Sequence, residues 1–270
     1  HELATGSTNW LTPDGMELGT PAWAQDMRTY AVCGDGQSIA AVTSKNGFLS
    51  VVRIDLASGD QSIIEPLAEL TDVSRIVAAP VGTRIAAIGS SATQTPRILS
   101  CDLADGTTRI VARSSSETLS AGGLSEPEAI SWASAAGETA HGLFYPPASE
   151  SFEGTGLPPV IAMIHGGPTS QSRAGWKADV QYFTTRGWAV LQVNYRGSTG
   201  YGREYMLKLR GNWGICDVED SISGVRHLVE TGQVDPDRKV IMGGSAGGFT
   251  VLQVMAHHPD EFTAGVNLYG

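Results

Sequence analysis

At 270 residues the chain is longer than a typical single domain, and two structural units are the starting expectation. Hydrophobic residues make up 41% and charged residues 17%, which excludes a disordered or fibrous chain. The net charge of −10 excludes a partner held by phosphate neutralisation, so nucleic acid is not an expected ligand.

Cys33, Cys101 and Cys216 are too scattered for a disulfide framework or a zinc site and read as buried free thiols. No run reaches the ~18 apolar residues of a membrane span, and His1-Glu2-Leu3-Ala4 lacks the regions of a signal peptide. No membrane partner is expected, and the cytoplasm is the default compartment. A chain opening on His rather than Met also suggests a missing beginning. The oligomeric state is not legible.

Residues 1–115 are dense in short β-type runs and contain a repeat. Gly36-Gln-Ser-Ile-Ala-Ala-Val42 with Arg53-Ile-Asp-Leu-Ala-Ser-Gly59 is echoed by Gly82-Thr-Arg-Ile-Ala-Ala-Ile88 with Ser100-Cys-Asp-Leu-Ala-Asp-Gly106, at offsets of 46 and 47 residues. That period is near the ~40–50 residues of a four-stranded propeller blade, so an all-β, partial β-propeller of about two blades is expected. Two similar sheets of another all-β domain are the alternative.

Residues 116–127 read as a Ser/Gly-rich linker. Residues 128–134 and 139–145 read as a hairpin closed by Pro146-Pro147. Apolar runs at 159–164, 188–193 and 239–242 then alternate with helix-length segments at 174–187 and 216–231. Val218, Ile222, Val225, Leu228 and Val229 share a helix face, and Asp217, Glu219 and Asp220 lie in that helix's first turn, where its dipole favours acids. This alternation predicts an α/β layer with a mostly parallel, doubly wound sheet over 128–270.

Gly243-Gly244-Ser245-Ala246-Gly247 follows the strand at 239–242 and opens an apolar helix, the context in which G-x-S-x-G acts as a nucleophile elbow. Small residues suit a tight turn that projects Ser245 above the sheet at a helix N-terminus. His165-Gly166-Gly167-Pro168 follows the run at 159–164, where the second half of an oxyanion hole belongs. The backbone N–H groups of Gly167 and Ala246 are therefore the candidate donors, each contributing roughly 3 kcal/mol to the transition state.

His165 could be a base, but the glycines after it suit an anion-binding loop that its ring holds in shape. His257 and His258 lie roughly 18 Å along the helix from Ser245. His1, His141 and His227 precede the nucleophile, whereas folds built around such an elbow place the acid and then the base after it. The general base is expected outside the chain.

Asn194-Tyr195-Arg196-Gly197-Ser198-Thr199-Gly200-Tyr201-Gly202 would share the elbow's sheet edge. Arg196 and Tyr201 are candidate substrate-binding residues there, Arg196 through a carbonyl or carboxylate. A bracing role for Arg196 is the alternative. Asp217 and Asp220 read as helix-start acids rather than catalytic ones.

Together, His165-Gly-Gly-Pro168, the 194–202 motif, Trp213-Gly214 with Asp217-Val-Glu-Asp220, and Gly243-Gly-Ser-Ala-Gly-Gly248 resemble the prolyl oligopeptidase family, nearest its acylaminoacyl-peptidase branch. The resemblance implies an α/β hydrolase whose access is limited by a propeller, cleaving short or N-acylated peptides through an acyl-enzyme on Ser245, with no cofactor and no metal. An esterase on the same scaffold, or an inert propeller-based binding protein, is the alternative. Many relatives carry Tyr where this chain has Ala246. The family's Asp and His follow the elbow, which implies that the chain, ending at Gly270, is an internal fragment inactive alone.

Overall fold

The sequence repeat is a repeat of sheets. A computed structural model describes residues 4–8, 10–13, 15–19, 27–116 and 120–270. The first copy forms an antiparallel sheet of β1 (Tyr30–Val32), β2 (Ser38–Lys45), β3 (Phe48–Asp55) and β4 (Gln61–Ile63), with neighbours in chain order. The second forms its counterpart from β5 (Asp72–Ala78), β6 (Arg84–Ser91), β7 (Gln94–Asp102) and β8 (Thr108–Arg113).

The Asp-Leu-Ala segments supply the outer turns. Asp55 Oδ1 accepts the N–H groups of Ala57 and Ser58, both at 2.9 Å, and the Gly59 N–H closes on the Asp55 carbonyl at φ +79°. Asp102 and Gly106 repeat it in part: Asp102 Oδ1 accepts the Ala104 N–H at 3.2 Å, and the Gly106 N–H closes on the Asp102 carbonyl at φ +74°. Val42, Leu49 and Val51 of one sheet join Val73, Ile76, Ile85 and Leu99 of the other in one buried cluster.

A six-stranded mixed sheet follows, in the order β14-β13-β11-β12-β10-β9. Its hairpin, β9 (Glu128–Ala133) and β10 (Thr139–Tyr145), is antiparallel, and β10 runs antiparallel to β12 (Ala189–Asn194). From β12 onward, β11 (Val160–Ile164), β13 (Lys239–Gly244) and β14 (Ala264–Leu268) are mutually parallel. The continuous apolar runs became strands because both faces are covered: every residue of β11 and β12 is buried.

Alternate residues of these strands enter different cores. Val160, Ala162 and Ile164 face a cluster with α3 (Cys216–Glu230) and α4 (Ala246–His257). Ile161 and Met163 face one with α1 (Ala178–Thr184), to which Phe48 and Ala92 of the all-β part contribute. The three cysteines are buried and free. Among the described residues, no helix is long and apolar enough to cross a membrane.

Three expectations shift. The helix expected over 174–187 begins only at Ala178, because the preceding backbone bonds to the all-β part: Ala174 N–H to the Gly47 carbonyl at 2.9 Å and Trp176 N–H to Ser90 Oγ at 3.1 Å. A short α2 (Arg203–Leu207) lies where no helix was expected. The end of the expected linker is fixed: Ser125 is buried, with its N–H on Gln181 Oε1, while Gln181 Nε2 donates to the Ser125 and Ala92 carbonyls. Residues 117–119 of that segment, like His1, lie outside the described residues.

Trp132 joins the hairpin to α3. Its indole is 3% exposed, donates to Ser223 Oγ at 3.0 Å and fills the space left by Gly142 and Gly224. Trp132→Ala is expected to lower the unfolding free energy by about 3–5 kcal/mol, read from chemical denaturation followed by circular dichroism.

Candidate active site

Three loops leave the carboxyl ends of neighbouring parallel strands: 165–170 after β11, 195–202 after β12, and the turn at Ser245 after β13. Ligand sites in open α/β sheets form at this edge.

Ser245 sits at φ 53°, ψ −122°, backbone that a side chain adopts only under constraint, and its side chain is exposed. The constraint comes from neighbours on both sides. The Ser245 N–H donates to the Leu268 carbonyl at 3.0 Å, and its carbonyl accepts the Phe249 N–H at 3.0 Å as α4 begins. A Cβ on Gly247 would run into the Ile164 carbonyl oxygen, so only glycine lets the first turn of α4 lie against the end of β11.

The 165–170 loop abuts the elbow: a Cβ built on Gly166 would stand 3.3 Å from Ser245 Cβ and 3.8 Å from the Ala246 nitrogen. Among the described residues, neither the Gly167 nor the Ala246 N–H donates to a protein acceptor. The Gly167–Pro168 peptide is cis. The elbow and the loop that carry the two candidate donors thus lie side by side.

His165 braces that loop. Its Nδ1 bonds to the Gly166 carbonyl at 2.9 Å, its Nε2 lies 2.8 Å from Ser198 Oγ, and its ring stacks on Tyr195 at 4.4 Å. These partners fit the tautomer with the proton on Nδ1, leaving Nε2 to accept from Ser198. Burial pushes its pKa from 6.5 down to about 4. The Tyr195 hydroxyl donates to the Pro168 carbonyl at 2.8 Å. Tyr195 and Asn194, which bonds both the N–H and the carbonyl of Ser172, were not singled out in the sequence, although both lie inside its glycine-rich motif.

Arg196 is braced rather than open to substrate. Its Nε donates to Asp220 Oδ1 at 2.9 Å, its Nη2 to Glu219 Oε2 at 2.7 Å, its own N–H bonds Asp220 Oδ2 at 2.6 Å, and the residue is 5% exposed. Tyr201 is likewise committed: it stacks on His141 at 4.6 Å and its hydroxyl accepts from Asn194 Nδ2 at 2.9 Å. Burial pushes its phenol up to about 12.

Asp217 and Asp220 open α3 as expected, but their surroundings are not the solvated first turn that the dipole argument assumes. Both are fully buried. Asp217 accepts the Gly214 N–H at 2.7 Å and the Thr250 hydroxyl at 2.5 Å, tying α3 to the helix that follows Ser245. Burial pushes its carboxyl up, against these bonds, which favour the anion.

Among the described residues Ser245 Oγ has no hydrogen-bond partner, and no three His, Cys, Asp or Glu side chains gather as metal ligands. His257 and His258 are exposed at the far end of α4, and His141 packs against Tyr201 and Tyr205.

Residues 175–270 match the model of the prolyl oligopeptidase family. A solved puromycin hydrolase superposes with a TM-score of 0.88 at 34% identity, covering 97% of this chain and 39% of that one. The chain thus resembles the prolyl oligopeptidase family, whose model it matches over 175–270. A puromycin-hydrolyzing peptidase of Mycobacterium tuberculosis gives a TM-score of 0.87 at 33% identity, over 94% of this chain and 39% of its own. The acylamino-acid-releasing enzyme of Arabidopsis thaliana is 39% identical over 120 residues, 44% of this chain and 16% of that protein. The chain therefore spans well under half the length of these relatives.

Two outcomes test the bracing roles. Arg196→Met leaves the Asp220 carboxylate buried without its partner and is expected to lower stability by about 3–5 kcal/mol, seen as a lower denaturation midpoint. In the folded full-length protein its KM should stay at the wild-type value; a large rise would restore the substrate-anchoring role. For His165 the folded protein favours the neutral ring, so this contribution is complete above pH 6.5 and is lost as pH falls toward about 4. Across that window wild type should lose more stability than His165→Gln, with a difference in slope of about one proton.

Proposed function

We propose that the chain carries the nucleophile and oxyanion hole of a serine peptidase, with Ser245 forming an acyl-enzyme. Its fold is read as part of an α/β hydrolase over residues 128–270, preceded by two β-propeller blades over 1–115 and a linker at 116–127. The observation that carries the reading is the backbone of Ser245. A strained, exposed serine between a parallel strand and a helix, with a glycine loop against it, is the arrangement that nucleophilic attack on a carbonyl needs.

In the proposed chemistry Ser245 Oγ attacks the carbonyl carbon of the scissile bond and gives up its proton to a general base. The base then protonates the leaving amine, and water releases the acyl group by the reverse sequence. The Gly167 and Ala246 N–H groups, fixed before substrate arrives, donate to the oxyanion. A dipole already oriented does not need to reorganise as charge develops. Among the described residues no histidine bonds Ser245 Oγ, and the full-length protein is the species to assay.

Peptide substrates are supported by the match of residues 175–270 to the family, and the names of the relatives point to N-acylated peptides and puromycin as the first to try. In the full-length protein a fluorophosphonate probe should label Ser245, and Ser245→Ala should abolish both labelling and turnover. Equal labelling of that variant would remove Ser245 from the role. Faster turnover of an ester than of the matching anilide, by more than their intrinsic reactivities explain, would shift the reading to an esterase.

A further inference from the structure

Glu17 reaches the edge of the candidate site from the far end of the chain. Its Oε2 accepts the Gly200 N–H at 2.6 Å and its Oε1 accepts the Gly202 N–H at 2.8 Å, across sequence separations of 183 and 185 residues. Both oxygens of one carboxylate are thus spent on main-chain donors of the loop after β12. Such bonds carry an ionised acceptor and are short and directional.

The held loop has a second side. One residue before Gly200, the Thr199 N–H donates to the Ser170 carbonyl at 2.8 Å, and the preceding Ser198 hydroxyl meets His165 Nε2 at 2.8 Å. His165 in turn bonds the Gly166 carbonyl, and Gly166 lies against Ser245 and the Ala246 nitrogen. Gln171 adds a parallel tie, its amide sharing a bond with Ser44 of β2 while its side chain lies against Gly200. An unbroken series of contacts therefore runs from the Glu17 carboxylate to the glycine loop beside the nucleophile.

We infer that Glu17 is a positioning residue for the reaction at Ser245: by clamping the Gly200 and Gly202 N–H groups it holds the 195–202 loop so that the 165–170 loop keeps its donor against the elbow. The inference rests on the reading of Ser245 as nucleophile and Gly167 as oxyanion donor, and it assigns Glu17 no contact with substrate. Without the carboxylate, the two N–H groups turn to water. The loop then relaxes on one side only, while the strands beneath it keep their cores.

The test uses the full-length protein with Glu17→Gln and Glu17→Ala, an N-acyl aminoacyl anilide as substrate, a fluorophosphonate as active-site probe, and amide hydrogen exchange. Gln keeps one acceptor and presents an NH2 group to the other donor, so kcat and the labelling rate should fall about tenfold, and further in Glu17→Ala, inside the hundredfold scale of mispositioning. KM should change little. Exchange should quicken over 196–202 and 165–170 but not within β11 or β12.

Wild-type kcat and labelling in both variants would overturn the inference. So would faster exchange spread evenly through the strands, which marks a merely structural tie. Should Ser245→Ala label as wild type does, the nucleophile reading falls by itself. Exchange over 165–170 in the Glu17 variants then still decides whether the clamp holds that loop.

Discussion

Everything at the carboxyl edge of the sheet depends on how closely the start of α4 approaches the end of β11. Gly247 lies where any side chain would strike the Ile164 carbonyl, and Ser245, two residues earlier, takes up the strain as positive-φ backbone. Such a conformation is unfavourable by about 1–3 kcal/mol and survives only where its surroundings over-determine it. Here they do so with the Leu268 carbonyl below, the Asp217–Thr250 hydrogen bond on α4, and the glycine loop alongside. The elbow is held by the strands on either side of β13 as well as by its own helix.

Polar groups buried around this edge mainly hold loops rather than await ligands. Arg196 with Asp220, Asp217 with Thr250, Asn194 with Ser172, and His165 with Ser198 each satisfy a group that would be costly to leave alone. They favour one arrangement of three irregular segments that lack secondary structure to fix them. An active site built on loops needs such internal scaffolding, because catalysis depends on donors that do not reorganise.

The sequence made most of this sheet legible, since strands covered on both faces must be apolar throughout, as β11 and β12 are. The elbow was legible for a related reason: the constraints on residues 243–248 are met by small residues within one short window. Less visible were features set by distant partners. Nothing near residue 174 foretells bonds to Gly47 and Ser90, so the start of α1 was misplaced. Sequence leaves Arg196 open between substrate anchor and brace because its partners, Glu219 and Asp220, stand more than twenty residues away on another element. Glu17 carried no local pattern at all.

The shared core behind the sheet has a consequence for modularity. Phe48 and Ala92 from the all-β part help fill the same layer as Leu143, Ile161 and Val180, and the Gln181 amide bonds both Ala92 and Ser125. The compositional break between the two parts is therefore not a break in packing. An exchange of the β repeats between relatives would have to carry a matching α1 face with it, since each half contributes wall to the other. Inheritance should treat these two regions as one unit, with loops such as 149–157 left as the freer places for change.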